Sequence, residues 1–253
     1  MVTSVGAPTV GAALRILSFM AAQQGPVAAA TLARSLGLPR SSVYRLLGEL
    51  AEQGFVLRFP EARRYGLGIA AFELSSGYVR QEPVTRLGRP VLAALVDRVG
   101  ESAHLAVLVG GEVVYLVEER APRRPALVTD VGVRLPSQLT ASGRALLAAL
   151  PREQVRALFP DAASLVARGV EVSPRELRAV LVATRARGYA EEDGEVTPGF
   201  ASVAVAVTDR AGWPVTSLAV TFEAAAVTPQ RRVELAGAVR RQAQELRRRL
   251  FGA

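Results

Sequence analysis

The sequence predicts an α+β protein with two domains, a small helical domain with a β-hairpin and a larger domain built on an antiparallel sheet. Three observations lead to this prediction. Apolar residues recur at helical spacing between residues 28 and 53, and two short strand-like runs follow them. From residue 101 the pattern changes to period two, with Gly110-Gly111 between two apolar runs. Half of the 253 residues are apolar, which is enough for two cores.

The segment Pro26–Gly68 predicts two short helices and a hairpin. The apolar stripe of the first helix consists of Leu32, Ala33 and Leu36, and that of the second consists of Val43, Leu46, Leu47 and Leu50. Gly37 fits the left-handed position after a helix, and the fixed φ of Pro39 suits the start of the next one. Gly54 ends the second helix, and two strands flank the turn at residues 60–64.

The outward face of the second helix is basic and rich in hydroxyl groups. Its candidate DNA-binding residues are Arg40, Ser41, Ser42, Tyr44 and Arg45, and those of the hairpin are Arg58, Arg63 and Arg64. Arginine pairs in a two-pronged way with guanine, and serine suits phosphates or base edges. Together these features predict a winged helix-turn-helix with its second helix in the DNA major groove. The alternative is an ordinary helix pair with a solvated basic face.

Charge is concentrated at the two ends of the chain. The whole chain has a net charge of +8. Residues 1–66 contain seven arginines and three acids, and residues 228–253 contain seven arginines and two acids. A basic N-terminal domain fits polyanion binding, whose affinity comes largely from counterion release. The basic C-terminal stretch also fits the solvated face of a last helix.

The remaining elements follow in order. A first helix is expected over residues 9–22, with Thr9 as its N-cap and with Val10, Leu14, Leu17 and Met20 on one face. The predicted domains are residues 7–68, a linker helix at 69–82, and residues 83–253. In the last of these domains we expect a helix over residues 84–99, with a kink or a delayed start at Pro90. Hairpins are expected at residues 104–119 and 203–222, and a short strand around residues 127–133. Further helices are expected to begin at residues 140, 151 and 173, and a final helix to span residues 230–251.

Three stretches resemble one family. The run LARSLGLPRSSVYRLLGELAEQGFV, residues 32–56, is similar to the DNA-reading segment of the IclR (isocitrate lyase regulator) family of bacterial transcription factors. Residues 135–148, LPSQLTASGRALLA, and residues 188–207, GYAEEDGEVTPGFASVAVAV, resemble the family's two effector-pocket stretches. The resemblance implies a GAF-like sensor domain, a homodimer or homotetramer, double-stranded operator DNA and a small organic acid as effector.

The predicted pocket begins at the helix that follows Thr140. The free N–H groups at a helix start attract a carboxylate or phosphate, although an ordinary cap is the alternative. By resemblance, the effector-binding candidates are Leu135, Ala141, Ser142, Glu192, Ser202, Ala219 and Thr221. This sequence departs from relatives at Gln138 (often His), Ser202 (Cys in some), Ala219 (a hydroxyl in others) and Glu192 (Asp in some).

Other functions have little support in the sequence. There is no cysteine, and the single histidine, His104, lies among apolar residues, which favours a packing or hydrogen-bonding role over a metal site or a catalytic relay. The acidic cluster Glu191–Glu195 could hold a cation, although a solvated turn is the simpler interpretation. We therefore expect no catalytic residues, metal or cofactor, and, since neither a membrane span nor a secretory signal is evident, a cytoplasmic protein. The alternatives are a DNA-binding protein without a ligand and, with less support, a small-molecule enzyme.

Overall fold

The computed structural model describes residues 8–74, 83–122, 129–167 and 169–252. The chain divides into two compact units, Met1–Gln81 and Glu82–Ala253. Over the described ranges, no helix combines the length and the apolar character that crossing a membrane requires.

The first unit is a winged helix-turn-helix, as predicted. Its elements are α1 (Pro8–Ala21), β1 (Val27–Ala28), α2 (Ala29–Leu36), α3 (Arg40–Glu52), β2 (Val56–Phe59), β3 (Arg64–Leu67) and α4, which is helical over the described residues 69–74. The three strands form an antiparallel sheet in the order β1-β3-β2. The predicted linker helix lies outside the described residues beyond residue 74. Gly37 adopts φ 64° after α2, the left-handed conformation that the turn requires.

The buried face of α1 differs from the prediction. Ile16 and Met20 are buried, whereas Val10 and Leu14 are 57% and 58% exposed. The helix is apolar around most of its circumference, so two apolar stripes compete and the sequence pattern does not say which one meets α2 and α3. Thr9 lies inside the helix, which begins at Pro8.

The second unit is an α+β domain around a six-stranded antiparallel sheet of order β6-β5-β4-β11-β10-β9. Its elements are α5 (Pro83–Val99), β4 (Ser102–Val109), β5 (Glu112–Glu119), β6 (Arg134–Pro136), α6 (Ala141–Ala149), α7 (Arg152–Leu158), β7 (Val166–Ala167), β8 (Val170–Glu171), α8 (Pro174–Arg187), β9 (Ala190–Asp193), β10 (Phe200–Thr208), β11 (Pro214–Glu223) and α9 (Pro229–Phe251). Strands β7 and β8 form a separate small hairpin.

The two faces of the sheet carry side chains of different size. On one face the large residues Val203, Leu218 and Phe222 pack with α5 and α9 in the main core. Because side chains alternate along a strand, the neighbouring small residues face the other way. Ala204 and Ala219 there pack against the start of α6. The small side chains allow α6 to approach the sheet closely.

Several predicted elements need correction. The third strand of the sheet is β6, at Arg134–Pro136, whereas residues 131–133 lie in and after a turn; Leu127 and Val128 lie outside the described residues. Helix α5 begins at Pro83, so Pro90 does not delay its start. The sequence does not predict strands β1 and β9, since each is short and carries no strand-like alternation. The acidic cluster is therefore an edge strand and the turn after it, not a turn alone.

Candidate functional site

The outward face of α3 is a free basic surface. Val43, Leu46 and Leu47 are buried beneath it. Arg40, Ser41, Tyr44 and Arg45 are exposed and Ser42 is half-buried. Pro39 caps the helix without a side-chain hydrogen bond. The first N–H groups of α3 are therefore open to an acceptor beside Arg40.

The hairpin β2–β3 adds positive charge to the same unit. Arg63 lies at its tip with φ 50°, in the left-handed region, and Arg58 pairs with Tyr65 across the strands. Arg64 donates from Nη1 to the carbonyl of Pro26 at 3.1 Å, which fastens β3 to the chain before α2. The side chains of Arg40, Arg45, Arg58 and Arg63 make no hydrogen bond or ion pair with any described residue. They are available to phosphates or base edges.

In the second unit a small cavity opens between the sheet and the start of α6. The void between its walls measures about 360 Å³, including the space at its mouth. Its lining residues are His104, Tyr115, Thr129, Thr140, Ala141, Ser142, Glu192, Val196, Thr197, Phe200, Ser202, Ala219 and Thr221. Hydroxyl groups predominate among its polar side chains.

The start of α6 forms one wall of this cavity. Thr140 is its N-cap, and the Thr140 side chain accepts from the Gly143 N–H at 2.9 Å. The preceding N–H groups have no partner within a helix, which leaves those of Ala141 and Ser142 at the wall. The Ser142 hydroxyl oxygen is buried but has no hydrogen bond of good geometry with a described residue, even with the Tyr115 hydroxyl in its vicinity. This wall offers donors to an anion.

Glu192 forms the opposite, acidic wall. It is 4% exposed, and it accepts a hydrogen bond from Ser202 Oγ at 3.0 Å, while Ser202 also shares one with Thr221 at 2.9 Å. Burial raises the pKa of Glu192 to about 7, against the opposing hydrogen bond from Ser202 and with a further contribution from the charge of Glu195. The carboxyl group therefore changes charge near neutral pH.

The two rings in the cavity are held in a neutral state. His104 Nε2 and Thr129 Oγ1 are 2.8 Å apart, and the His104 ring meets Tyr115 edge-on with centroids at 5.7 Å. Burial, followed by the nearby charge of Arg120, lowers the pKa of His104 to about 4. Burial raises the pKa of Tyr115 more than the hydroxyls of Ser142 and Thr140 lower it. The hydrogen-bonding role predicted for His104 is confirmed.

Arg144 holds the acidic wall against α6. Its guanidinium donates to the carbonyls of Gln138 and Glu191 and, at 2.8 Å, to the carboxylate of Glu195. Burial raises the pKa of Glu195, but the hydrogen bond and charge of Arg144 outweigh it, so the pKa lies below its usual range. Gln138 donates to the carbonyl of Leu165. Arg144 thus fixes where β9 presents Glu192.

Six of the seven effector-binding candidates meet at this one cavity. Leu135 is the exception, because it pairs with Val113 in β5 and packs in a core cluster with Tyr115 and Leu146. The sequence does not indicate that His104 and Tyr115 line the same cavity. Their signal is the period-two alternation of β4 and β5, but the neighbouring strands cannot be identified from the sequence. Among the described residues, no group of His, Cys, Asp and Glu is arranged to hold a metal ion.

A winged helix-turn-helix with a free basic face, joined to an α+β domain with a polar cavity, is the architecture of a ligand-responsive DNA-binding regulator. Comparison with known protein families leads to the same class of protein. Residues 9–58 match the IclR helix-turn-helix domain, and residues 76–248 match the C-terminal domain of bacterial IclR transcriptional regulators. The chain belongs to the IclR family, and it is a DNA-binding transcriptional regulator rather than an enzyme.

Individual relatives cover nearly the whole chain. The acetate operon repressor of Salmonella typhimurium is 29% identical over 236 residues, 92% of this chain and 86% of the relative. The glycerol operon regulatory protein of Streptomyces coelicolor is 30% identical over 90% of each chain. The crystal structure of Thermotoga maritima IclR superposes with a TM-score of 0.73 at 27% identity, covering 97% of this chain and 99% of that one. An IclR homologue from Microbacterium hydrocarbonoxydans, complexed with 4-hydroxybenzoate, shares the fold with a TM-score of 0.80 at 22% identity, over 96% of this chain and 98% of that one.

Proposed function

We propose that this regulator senses a small organic acid in the cavity between α6 and the sheet. The observation that carries the proposal is the pairing of a helix start rich in free donors with an unpartnered, buried Ser142 hydroxyl. Oriented N–H groups and the positive end of the helix dipole favour a carboxylate there. The complex of the Microbacterium homologue with 4-hydroxybenzoate, itself an organic acid, is in keeping with this class of ligand.

The ligand would lie between two chemically different walls. Its carboxylate would accept from Ala141 and Ser142, and its far side would meet Glu192, Ser202 and Thr221, with Ala219 as the floor. A ligand-independent DNA-binding protein would instead fill this space with its own apolar side chains. The polar lining favours the sensor over that alternative.

DNA contact is assigned to the basic face of α3 and to the hairpin. Arg40, Ser41, Ser42, Tyr44 and Arg45 would face the major groove, and Arg58 and Arg63 would meet the flanking backbone. Arg64 would contribute only with the part of its guanidinium that does not bind Pro26.

A homodimer or homotetramer is the expected functional form, acting on operator DNA in the bacterial cytoplasm. In the first unit, Val10, Leu14, Ile69, Phe72 and Leu74 are all more than half exposed. Exposed apolar residues in such number suit contact with a second copy. Two-fold symmetry would make the operator a near-palindrome.

A thermal-shift screen of the full-length protein against small carboxylic acids tests the sensing function. A true ligand at about 100 times its Kd should raise the free energy of unfolding by roughly 2.7 kcal/mol. The matching amides serve as controls, because they keep the shape and remove the charge. Equal stabilisation by acid and amide, or none by either, would count against an acid sensor.

A further inference from the structure

A second cavity of the sensor domain has no role in the function above. It is a groove between α7 and α8, with a void of about 750 Å³ including the space at its mouth. It shares no lining residue with the cavity at the start of α6, as far as the described residues show. We refer to it as the α7–α8 groove.

The floor of the α7–α8 groove is apolar. Leu177 and Leu181 of α8 are buried at its base, and Val155 and Phe159 line it from the α7 side. These side chains belong to a core cluster that includes Leu147 and Ala148 of α6. The floor is thus continuous with the packing of α6, and the apolar part of a ligand could bury its surface against it.

The rim of the α7–α8 groove is exclusively basic. Four arginines line it, Arg152, Arg156, Arg178 and Arg185, and no acidic residue lies among the described lining residues. The guanidinium of Arg185 already has hydrogen-bond partners, since it donates to the carbonyls of Ala148 and Leu150. The guanidinium groups of the other three have no hydrogen bond or ion pair with any residue in the described ranges.

The three unpaired guanidinium groups are exposed and concentrate positive charge beside the apolar floor. Arg152 and Arg156 stand one turn apart on α7, a spacing at which like charges destabilise a helix. Two acids lie near these arginines in sequence. Glu153 of α7 forms no ion pair with them in the described structure, and Glu176 is used in the capping box of α8 with Ser173. A carboxylate would accept two-pronged hydrogen bonds from arginine and relieve this repulsion.

We propose that the α7–α8 groove binds an amphipathic carboxylate, with its apolar chain on the Leu177–Leu181 floor and its head group among Arg152, Arg156 and Arg178. The occupant differs from the small acid of the first cavity in having an extended apolar body. The two sites are connected by α6. Its first residues line one cavity, and Arg185 of the other donates to the carbonyls of Ala148, near the end of α6, and of Leu150, just after it.

Calorimetric titration of the full-length protein with decanoate tests this proposal. Decanoate should bind saturably and at least about ten-fold more tightly than acetate, which lacks the chain, or decanol, which lacks the charge. The double variant Arg156→Gln/Arg178→Gln should weaken decanoate binding about ten-fold or more, because it removes charge-assisted hydrogen bonds. Arg175→Gln is the matched control, an exposed arginine of α8 that does not line the groove.

A further variant distinguishes binding in the α7–α8 groove from binding in the first cavity. Ser202→Val alters the first cavity and should leave decanoate binding unchanged. The proposal is overturned if decanoate does not saturate, if the double variant binds it like the wild type, or if Ser202→Val abolishes binding.

Sedimentation of the double variant is the last check. A changed oligomeric state would show that a second copy of the chain occupies the groove and would also overturn the proposal.

Discussion

Glu192 is the residue whose charge state most directly affects a bound acid. Its pKa of about 7 means that the folded protein keeps a proton that the unfolded chain releases above about 4.5. The contribution of Glu192 to the free energy of unfolding is therefore present at low pH and is lost as the pH rises from about 4.5 to about 7. The same proton matters to the proposed ligand, because ionised Glu192 would repel a carboxylate bound in the same small cavity and protonated Glu192 would not.

We predict that an acidic effector binds more tightly at about pH 6 than at about pH 8, since the pKa of Glu192 lies near 7. Glu192→Gln keeps a donor and removes the titration, so its affinity should be nearly independent of pH in this range. Calorimetric titration of both proteins at several pH values measures the effect. An unchanged pH dependence in Glu192→Gln would show that another group controls binding.

Ser142 provides a second test at the residue scale. Its hydroxyl has no hydrogen bond of good geometry with a described residue, so Ser142→Ala should leave the free energy of unfolding unchanged or raise it by about 1 kcal/mol. The same change should weaken effector binding about ten-fold by removing a donor to the ligand. Thr184→Val is the matched control, another buried hydroxyl without a partner in the described structure, located in α8 away from the cavity. If both variants bind the effector equally well, Ser142 does not contact it.

The position of α6 is the feature of element scale on which the site depends. At Gly143 a Cβ atom would lie 2.2 Å from the carbonyl oxygen of Ser137. Backbone cannot give way as a flexible side chain can, so Gly143→Ala must push α6 away from the turn at Ser137 that precedes it. We expect a loss of about 1–3 kcal/mol in the free energy of unfolding, with weaker effector binding.

Gly237→Ala is the matched control for Gly143→Ala. Gly237 also lies inside a helix, but a Cβ there would meet only the Arg241 side chain, at 3.7 Å. Alanine should therefore stabilise α9 by about 0.5–1 kcal/mol. Denaturant unfolding of both variants gives the comparison. Stabilisation by both changes would mean that α6 does not depend on this close approach.

The elements differ in how far the sequence can predict them. Helix α3 and the hairpin of β4 and β5 are predictable because strong periodicity, Gly37 and Gly110-Gly111 leave few alternatives. Strand β9 cannot be predicted from the sequence, because its pairing with β10 depends on the rest of the sheet and not on its own residues. For the same reason the sequence does not predict the burial of Glu192. The resemblance supplies the effector-binding candidates, but strand order brings His104 and Tyr115 to them.

At the scale of the whole molecule, regulation requires that the two units communicate. The proposed effector cavity lies in the second unit and α3 in the first. An effector changes DNA binding only if it favours one arrangement of the chain over another. Linkage then requires that DNA change effector affinity by the same factor. Effector titrations with and without a selected duplex measure this factor, and identical affinities would show that the cavity does not regulate DNA binding.

DNA binding is the property on which regulation depends, and we propose that the basic face of α3 carries it. A labelled duplex, selected from a random pool by the full-length protein, is titrated at rising salt concentrations with the wild type, Arg40→Ala, Arg45→Ala and the control Arg175→Ala. The logarithm of the wild-type affinity should fall linearly with the logarithm of salt concentration. Replacing a base-reading arginine by alanine should weaken the free energy of DNA binding by about 1–3 kcal/mol and relax the preference at one base pair. Arg175→Ala should bind DNA like the wild type. Salt-independent binding, or unchanged binding by both α3 variants, would contradict the assignment of DNA contact to α3.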